Sequence, residues 1–296
     1  MSQSKRGVVA IREVEMYFAP PKAARSEGKP RRLWLHAGLH KTGTTSLQSF
    51  LTQKRDLLAE HGLLYVRAGT NQYLNGNHNV AWELTGDRRF ELDTGTVAEA
   101  VQEIADFPGD AILSSEDFEG LLHQPKGFDP LLRHPLLRNH QVTVLIYIRN
   151  QAEYLASVFR ENRDYHGIDW SVSEYLDRVL KDGRIPVRDW IFQFDLKAVA
   201  KAWPHHGAKL ALRNYHTLAD GSSVNDFLSL VAPDIEPGEY PRLNVAPTRM
   251  RLRDTDAATL MERFGPDNLK LCKAMGIAAD GLTEVPSWSR MAVEIA

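Results

Sequence analysis

Apolar positions along the chain follow two patterns. Short, nearly continuous apolar runs occur at Leu33-Trp34-Leu35, Leu63-Leu64-Tyr65-Val66, Ala111-Ile112-Leu113 and Lys209-Leu210-Ala211-Leu212, and the longest spans Val142 to Ile148. Between them, apolar residues recur every third or fourth position, which is the period of a helix with one buried face. One such stretch starts near Thr44 and carries Leu47, Phe50, Leu51, Leu57 and Leu58, with Gly62 as a stop. Others cover Val97 to Phe107, residues 151–165 and 172–181, Asp189 to Trp203, Asn225 to Val231 and Thr255 to Phe264. Residues 68–79, rich in glycine and asparagine, read as a polar loop. Apolar strands alternating with amphipathic helices predict an α/β fold: a central parallel β-sheet flanked by helices on both faces. One domain over residues 31–296 accounts for the pattern. Residues 1–30, interrupted by Pro20, Pro21, Gly28 and Pro30 and basic at their end, form an N-terminal extension or linker.

Composition narrows the function classes. The 296 residues are 43% hydrophobic and 25% charged with a net charge of −2, so the chain is globular. It lacks the basic excess of a dedicated nucleic-acid binder, and no nucleic-acid partner is expected. Cys272 is the single cysteine, which excludes an intrachain disulfide, suits a reducing compartment and reads as core packing beside Leu271 and Met275. No window approaches eighteen consecutive apolar residues and MSQSKRG is not followed by a signal-like apolar stretch. The expected location is cytoplasmic, with peripheral contact to a membrane-borne substrate left open.

The densest chemistry lies between the first strand and the first helix, in His36-Ala37-Gly38-Leu39-His40-Lys41-Thr42-Gly43-Thr44-Thr45-Ser46. A glycine-permitted turn there lets backbone N–H groups face an anion, and the helix start adds unsatisfied donors and the positive end of its dipole. Thr44, Thr45 and Ser46 contribute hydroxyls, and Lys41 a point charge. Gly38 and Gly43 have the spacing of a nucleoside-triphosphate loop, but Thr44 stands where the lysine of G-x-x-x-x-G-K-[ST] belongs. The loop therefore reads as a phosphate site and speaks against ATP with magnesium.

The segment Lys41-Thr42-Gly43-Thr44-Thr45 resembles the 5′-phosphosulfate-binding loop of sulfotransferases that use 3′-phosphoadenosine 5′-phosphosulfate (PAPS). It is most similar to carbohydrate-type and bacterial members. The resemblance implies a second signature, a strand ending in arginine with a serine eight residues later, both holding the 3′-phosphate. Arg149 closes the longest strand and Ser157 follows at that spacing. An arginine at the carboxyl end of a parallel strand faces the crevice where such sheets bind ligands, and its fork suits phosphate oxygens. Gly265-Pro266-Asp267-Asn268-Leu269-Lys270 also resembles a late family segment that precedes a closing helix.

What the resemblance implies is sulfuryl transfer from PAPS to a hydroxyl or amine of a carbohydrate, glycolipid or related metabolite, releasing 3′-phosphoadenosine 5′-phosphate (PAP). No metal is required. Lys41 is the expected cation at the leaving oxygen. Lys41, Thr42, Gly43, Thr44, Thr45 and Ser46 would hold the 5′ end, and Arg149 and Ser157 the 3′-phosphate. Glu116, ending the third strand, is the expected base, with Asp117 as its rival. Burial would raise the Glu116 pKa and Lys41 would lower it. His40, adjoining Lys41, belongs with the catalytic set, His78 suits acceptor contact, and His36 lies inside. Arg249, Arg251 and Arg253 are candidates for a late basic loop. Two rivals remain: an ATP-dependent phosphotransferase with a deviant loop, and a non-catalytic PAP-binding module.

Overall fold

The five apolar runs form one parallel sheet. β1 is Arg31–His36, followed by helices α1 (Thr44–Gln53) and α2 (Arg55–Glu60), β2 (Leu63–Tyr65), α3 (His78–Thr85), α4 (Val97–Asp106) and β3 (Asp110–Ser114). A 3-10 turn, Glu116–His123, leads to α5 (Asp129–Leu132) and the nine-residue β4 (His140–Ile148). Then come α6 (Gln151–His166), α7 (Val172–Asp182), β5 (Arg184–Val187), β6 (Trp190–Gln193), α8 (Leu196–Ala202), β7 (Lys209–Asn214), α9 (Ser223–Val231), β8 (Arg249–Leu252), α10 (Asp254–Met275) and β9 (Ala292–Ile295). This computed structural model describes residues 30–71, 73–203, 207–240, 243, 249–288 and 292–295. The extension expected over residues 1–30 lies outside the described residues except for Pro30.

Strand order is β2-β3-β1-β4-β7, with every pair parallel. Both faces are buried, which is why the runs are continuous rather than alternating. Leu33 and Leu35 of β1 enter one apolar layer, shared with residues of α4, α6, α7, α8 and α10, while Trp34 enters the other with Leu47, Phe50 and Phe227. From β1 the chain moves toward β2, and from β4 it moves toward β7. The carboxyl ends of β1 and β4 therefore flank the crevice at which open parallel sheets bind ligands.

Four sequence expectations are corrected. Asp189 to Trp203 is not one helix. Trp190 to Phe192 pairs antiparallel with Ile185 to Val187, Arg188 turns the hairpin at φ 53°, and α8 starts only after Asp195, whose carboxylate accepts the Lys197 and Ala198 N–H groups at 3.0 Å. Aromatic and β-branched residues in alternation favour the strand over the helix. The loop expected through residue 79 ends earlier, because His78 already opens α3. The long helix from Thr44 divides at Lys54 into α1 and α2. The segment Gly265 to Lys270 does not precede a closing helix but runs through the middle of α10, with Pro266 inside it. Cys272 is buried in α10, as expected.

Candidate active site

The loop after β1 is bent by its backbone. Gly43 takes φ 85° as the N-cap of α1, and a Cβ there would stand 2.9 Å from the Ser223 hydroxyl. Only glycine meets both conditions without cost. Lys41 also adopts a left-handed backbone, φ 63°, which is uncommon for a residue with a side chain and marks a site held by its surroundings. Thr42 is fully buried and its hydroxyl donates to the Leu39 carbonyl at 2.6 Å, closing the turn from inside. Gly43, the N-cap of α1, has no side chain to cap the helix, and the first turn carries no acidic residue. The positive end of the helix dipole thus meets no carboxylate from its own turn. Ser46, in that turn, accepts the Leu243 N–H at 2.9 Å. Thr45 is half-buried.

Arg149 follows β4 and its Nη1 donates to the Lys41 carbonyl at 3.1 Å, so the end of β4 is tied directly to the loop after β1. The guanidinium also pairs with Glu153 at 2.7 Å and lies 5.6 Å from the Tyr215 ring centroid. Ser157 sits half-buried in the second turn of α6, the helix that follows Arg149. The Lys41 ammonium reaches across to Glu161 of α6 at 3.4 Å. Arg251 pairs with Glu294 at 2.9 Å and Arg253 with Asp256 at 2.8 Å. Arg251 and Arg253 of the candidate basic loop are thus engaged in ion pairs of their own, and the Arg249 side chain lies outside the described residues.

Glu116 lies across the helix start from this cluster. Its Oε1 accepts the Thr44 hydroxyl at 3.3 Å and its Oε2 accepts Gln48 Nε2 at 2.7 Å. Burial pushes its carboxyl up, but the His78 and His40 rings outweigh this and leave it below the ordinary glutamate value. The expected role of Lys41 in that lowering is not what occurs, since the ammonium is turned to Glu161. Glu116 is therefore a carboxylate at neutral pH.

Asp117 is fixed rather than available. It takes His78 Nδ1 at 2.9 Å, the Trp82 indole at 3.0 Å, the Trp190 indole at 3.1 Å and Arg89 at 3.5 Å. Burial works against its charge, yet the His78 hydrogen bond and the charges of His78, His40 and Arg89 hold it down at about 2. A carboxylate saturated by four donors is a poor proton acceptor. His78 is nearly buried, and its ring stands above the ordinary imidazole value: burial lowers it, but Glu116 and the Asp117 hydrogen bond raise it further. His36, 1% exposed, donates or accepts at Ser114 Oγ over 2.8 Å, and burial, only partly opposed by Glu116, lowers it to about 4.

Beside His40 opens a cleft of about 360 Å³, lined among others by His40, Trp82, Arg89, Asp117, Glu119 and Trp190. The Arg89 guanidinium is held between two indoles, 4.7 Å from the Trp82 ring and 4.3 Å from the Trp190 ring. Glu119, 2% exposed, accepts the Gln193 N–H at 2.5 Å and faces His40 Nε2 at 4.0 Å. Burial raises its carboxyl well above the ordinary value, and the Asp117 and Glu116 charges add to the rise.

The structure thus links Arg149 to Lys41 and Thr44 to Glu116 by hydrogen bonds, and His40, next to Lys41, lines the cleft. Gln48, Glu119, Glu161 and Arg89 escaped the sequence reading. Gln48 left a signal: it lies one turn after Thr44 on the helix face that is otherwise apolar. The others are brought in by tertiary contacts.

No family model matches the chain, and neither does any curated protein sequence. Among solved structures, a sulfotransferase from Alicyclobacillus acidocaldarius superposes with a TM-score of 0.52 at 15% identity, covering 84% of this chain and 97% of that one. A mouse sulfotransferase, SULT7A1, solved with PAP, matches more loosely, with a TM-score of 0.37 at 13% identity over 71% of this chain and 61% of that one. An α/β fold with a central parallel sheet flanked by helices is what this chain shares with the bacterial sulfotransferase.

Proposed function

We propose that the chain is a PAPS-dependent sulfotransferase whose acceptor is a hydroxyl or amine of a carbohydrate, glycolipid or related metabolite, bound in the cleft beside His40. The domain that carries this activity spans residues 31–296, with residues 1–30 as an extension. The observation that carries the reading is the joining of two cationic groups at adjacent strand ends: Lys41 at the glycine-capped start of α1, and Arg149 hydrogen-bonded to the Lys41 carbonyl.

The residues present fit the nucleotide. Lys41, Gly43, Thr44, Thr45 and Ser46 surround the start of α1 and would hold the 5′-phosphosulfate. Arg149 would grip the 3′-phosphate, with Ser157 on the following helix. In transfer, a bond forms between the acceptor oxygen or nitrogen and sulfur, and the bond from sulfur to the 5′-phosphate oxygen breaks. Glu116, ionised and beside Thr44, takes the proton of the acceptor. Lys41 and the α1 N–H groups stabilise the charge that develops on the leaving oxygen. His40 stands at the junction of loop and cleft. The two indoles with Arg89, Gln124 and Asp189 line the cleft with apolar surface and polar groups side by side, which suits a hydroxyl-rich ring.

Titration calorimetry of PAP, with ATP plus magnesium as control, tests this directly. PAP should bind without metal, and Arg149→Ala should weaken it by roughly tenfold to a hundredfold, the worth of a charged hydrogen-bonding fork. ATP binding with no preference for a 3′-phosphate would sink the reading.

A further inference from the structure

The His78 ring is held between two carboxylates that do different things. Asp117 Oδ2 lies 2.9 Å from its Nδ1, and Glu116 Oε2 lies 3.9 Å from its Nε2. Ser115 Oγ is also 2.9 Å from Nδ1, and the ring stacks on Trp82 at 6.0 Å and 28°. The loop before α3 is built around this ring: a Cβ at Gly76 would stand 2.6 Å from His78 Nε2 and 2.7 Å from Gln48 Nε2, so only glycine lets the chain close over the pair. Asp117 in turn receives both indole N–H groups of the cleft wall. A single aspartate thus fixes the wall of the cleft and one side of the ring, and the other side of the ring faces the carboxylate read as the base.

We propose that His78, oriented by Asp117, is the positioning residue of Glu116: it supplies a fixed positive counter-charge that keeps the base an open carboxylate beside the start of α1. This rests on the reading of Glu116 as the base of a sulfotransferase. The ring does not relay the proton. Glu116 accepts it, and the imidazolium beside it sets the charge that Glu116 carries before the acceptor arrives. The other groups that act on the pair are known. His40 from the phosphate loop adds to the positive side, Asp117 of the same turn opposes it, and Arg89 opposes protonation of His78. His36 of β1 and Tyr65 of β2 feel the Glu116 charge from below. Gln48 and Thr44 of α1 are uncharged donors to it. Among these, His78 has the largest lowering influence on Glu116 after the opposing effect of burial.

The test is an NMR titration of the full chain. Glu116 is followed by its side-chain carboxyl 13C signal, assigned with Glu116→Gln, and His78 by its ring 15N signals. In the wild type the His78 ring should stay protonated above the ordinary imidazole range near pH 6.5. In His78→Gln the Glu116 midpoint should rise by roughly one pH unit, and the acid limb of PAP release from PAPS should move up with it. Asp117→Asn should lower the His78 midpoint. A His78 ring that deprotonates below pH 6.5 in the wild type overturns the proposal. So does a Glu116 midpoint unmoved in a folded His78→Gln chain. If His78→Gln does not fold, the wild-type ring titration decides. A purely structural His78 would change melting temperature and leave the Glu116 midpoint where it is. Failure of the sulfotransferase reading is seen separately, as a wild-type chain that neither binds PAP nor releases it from PAPS.

Discussion

At the scale of single residues, the loop after β1, the proposed phosphate site, bends through two left-handed backbones, Lys41 and Gly43. Gly43→Ala adds a side chain to a backbone that disfavours it by about 1–2 kcal/mol and sets its Cβ 2.9 Å from the Ser223 hydroxyl. Melting curves should show a loss of at least that order, and calorimetry a weaker PAP site. Lys41 is engaged by Glu161 at 3.4 Å, a contact that the proposed sulfuryl donor would have to replace. Both side chains are partly exposed, so the pair is worth no more than about 1 kcal/mol. Glu161→Gln should therefore tighten PAPS binding by up to about fivefold, and an unchanged or weakened affinity would show that Lys41 does not leave Glu161 for the nucleotide. Glu116→Gln should behave differently again: PAP affinity retained, transfer lost.

At the scale of elements, the β5–β6 hairpin matters most. It delivers Trp190 to the cleft, where the indole binds Asp117 at 3.1 Å and covers Arg89 at 4.3 Å. Trp190→Ala should raise the acceptor KM and leave PAP affinity unchanged, because the substitution is confined to the cleft. Equal loss of both would mean that the hairpin supports the phosphate loop as well, through the Gln193 N–H to Glu119. The hairpin was hidden in the sequence by its alternation. Trp190, Phe192 and Phe194 satisfy a strand, but Leu196 and Val199 continue an apolar spacing that also fits a helix. The Asp195 cap separates the two, and it works only because the antiparallel pairing with Ile185 and Val187 fixes the chain before it.

At the scale of the whole molecule, buried titratable groups couple stability to pH. His36 is neutral in the fold, with its value lowered to about 4 by burial. An unfolded histidine takes up a proton near pH 6.5, so the unfolded state gains as pH falls from about 6.5 to about 4. Across that window the fold should lose stability on the order of 3 kcal/mol from this residue, with no further loss below. His36→Gln should flatten that part of a pH series of denaturant melts. Asp117 acts lower on the scale. Its stabilising charge is present above the ordinary aspartate value of 3.8 and is lost as pH falls toward about 2.

The sequence by itself determined the parallel sheet, because strands buried on both faces must be apolar throughout, and β1, β3, β4 and β7 read as such runs. It also determined the turn between β1 and α1 and the arginine that follows β4, since both depend on local order: a glycine-permitted turn between strand and helix, and a charge at a strand end. Tertiary structure decided the rest. The order β2-β3-β1-β4-β7 brings the ends of β1, β3 and β4 side by side, and only then do Thr44 and Glu116, 72 positions apart, share a hydrogen bond, or Lys41 and Glu161, 120 apart, an ion pair. Periodicity reports how one segment is buried. The charge state of Glu116 depends instead on His78 and His40, which arrive from other segments and outweigh its burial. No local pattern contains that balance.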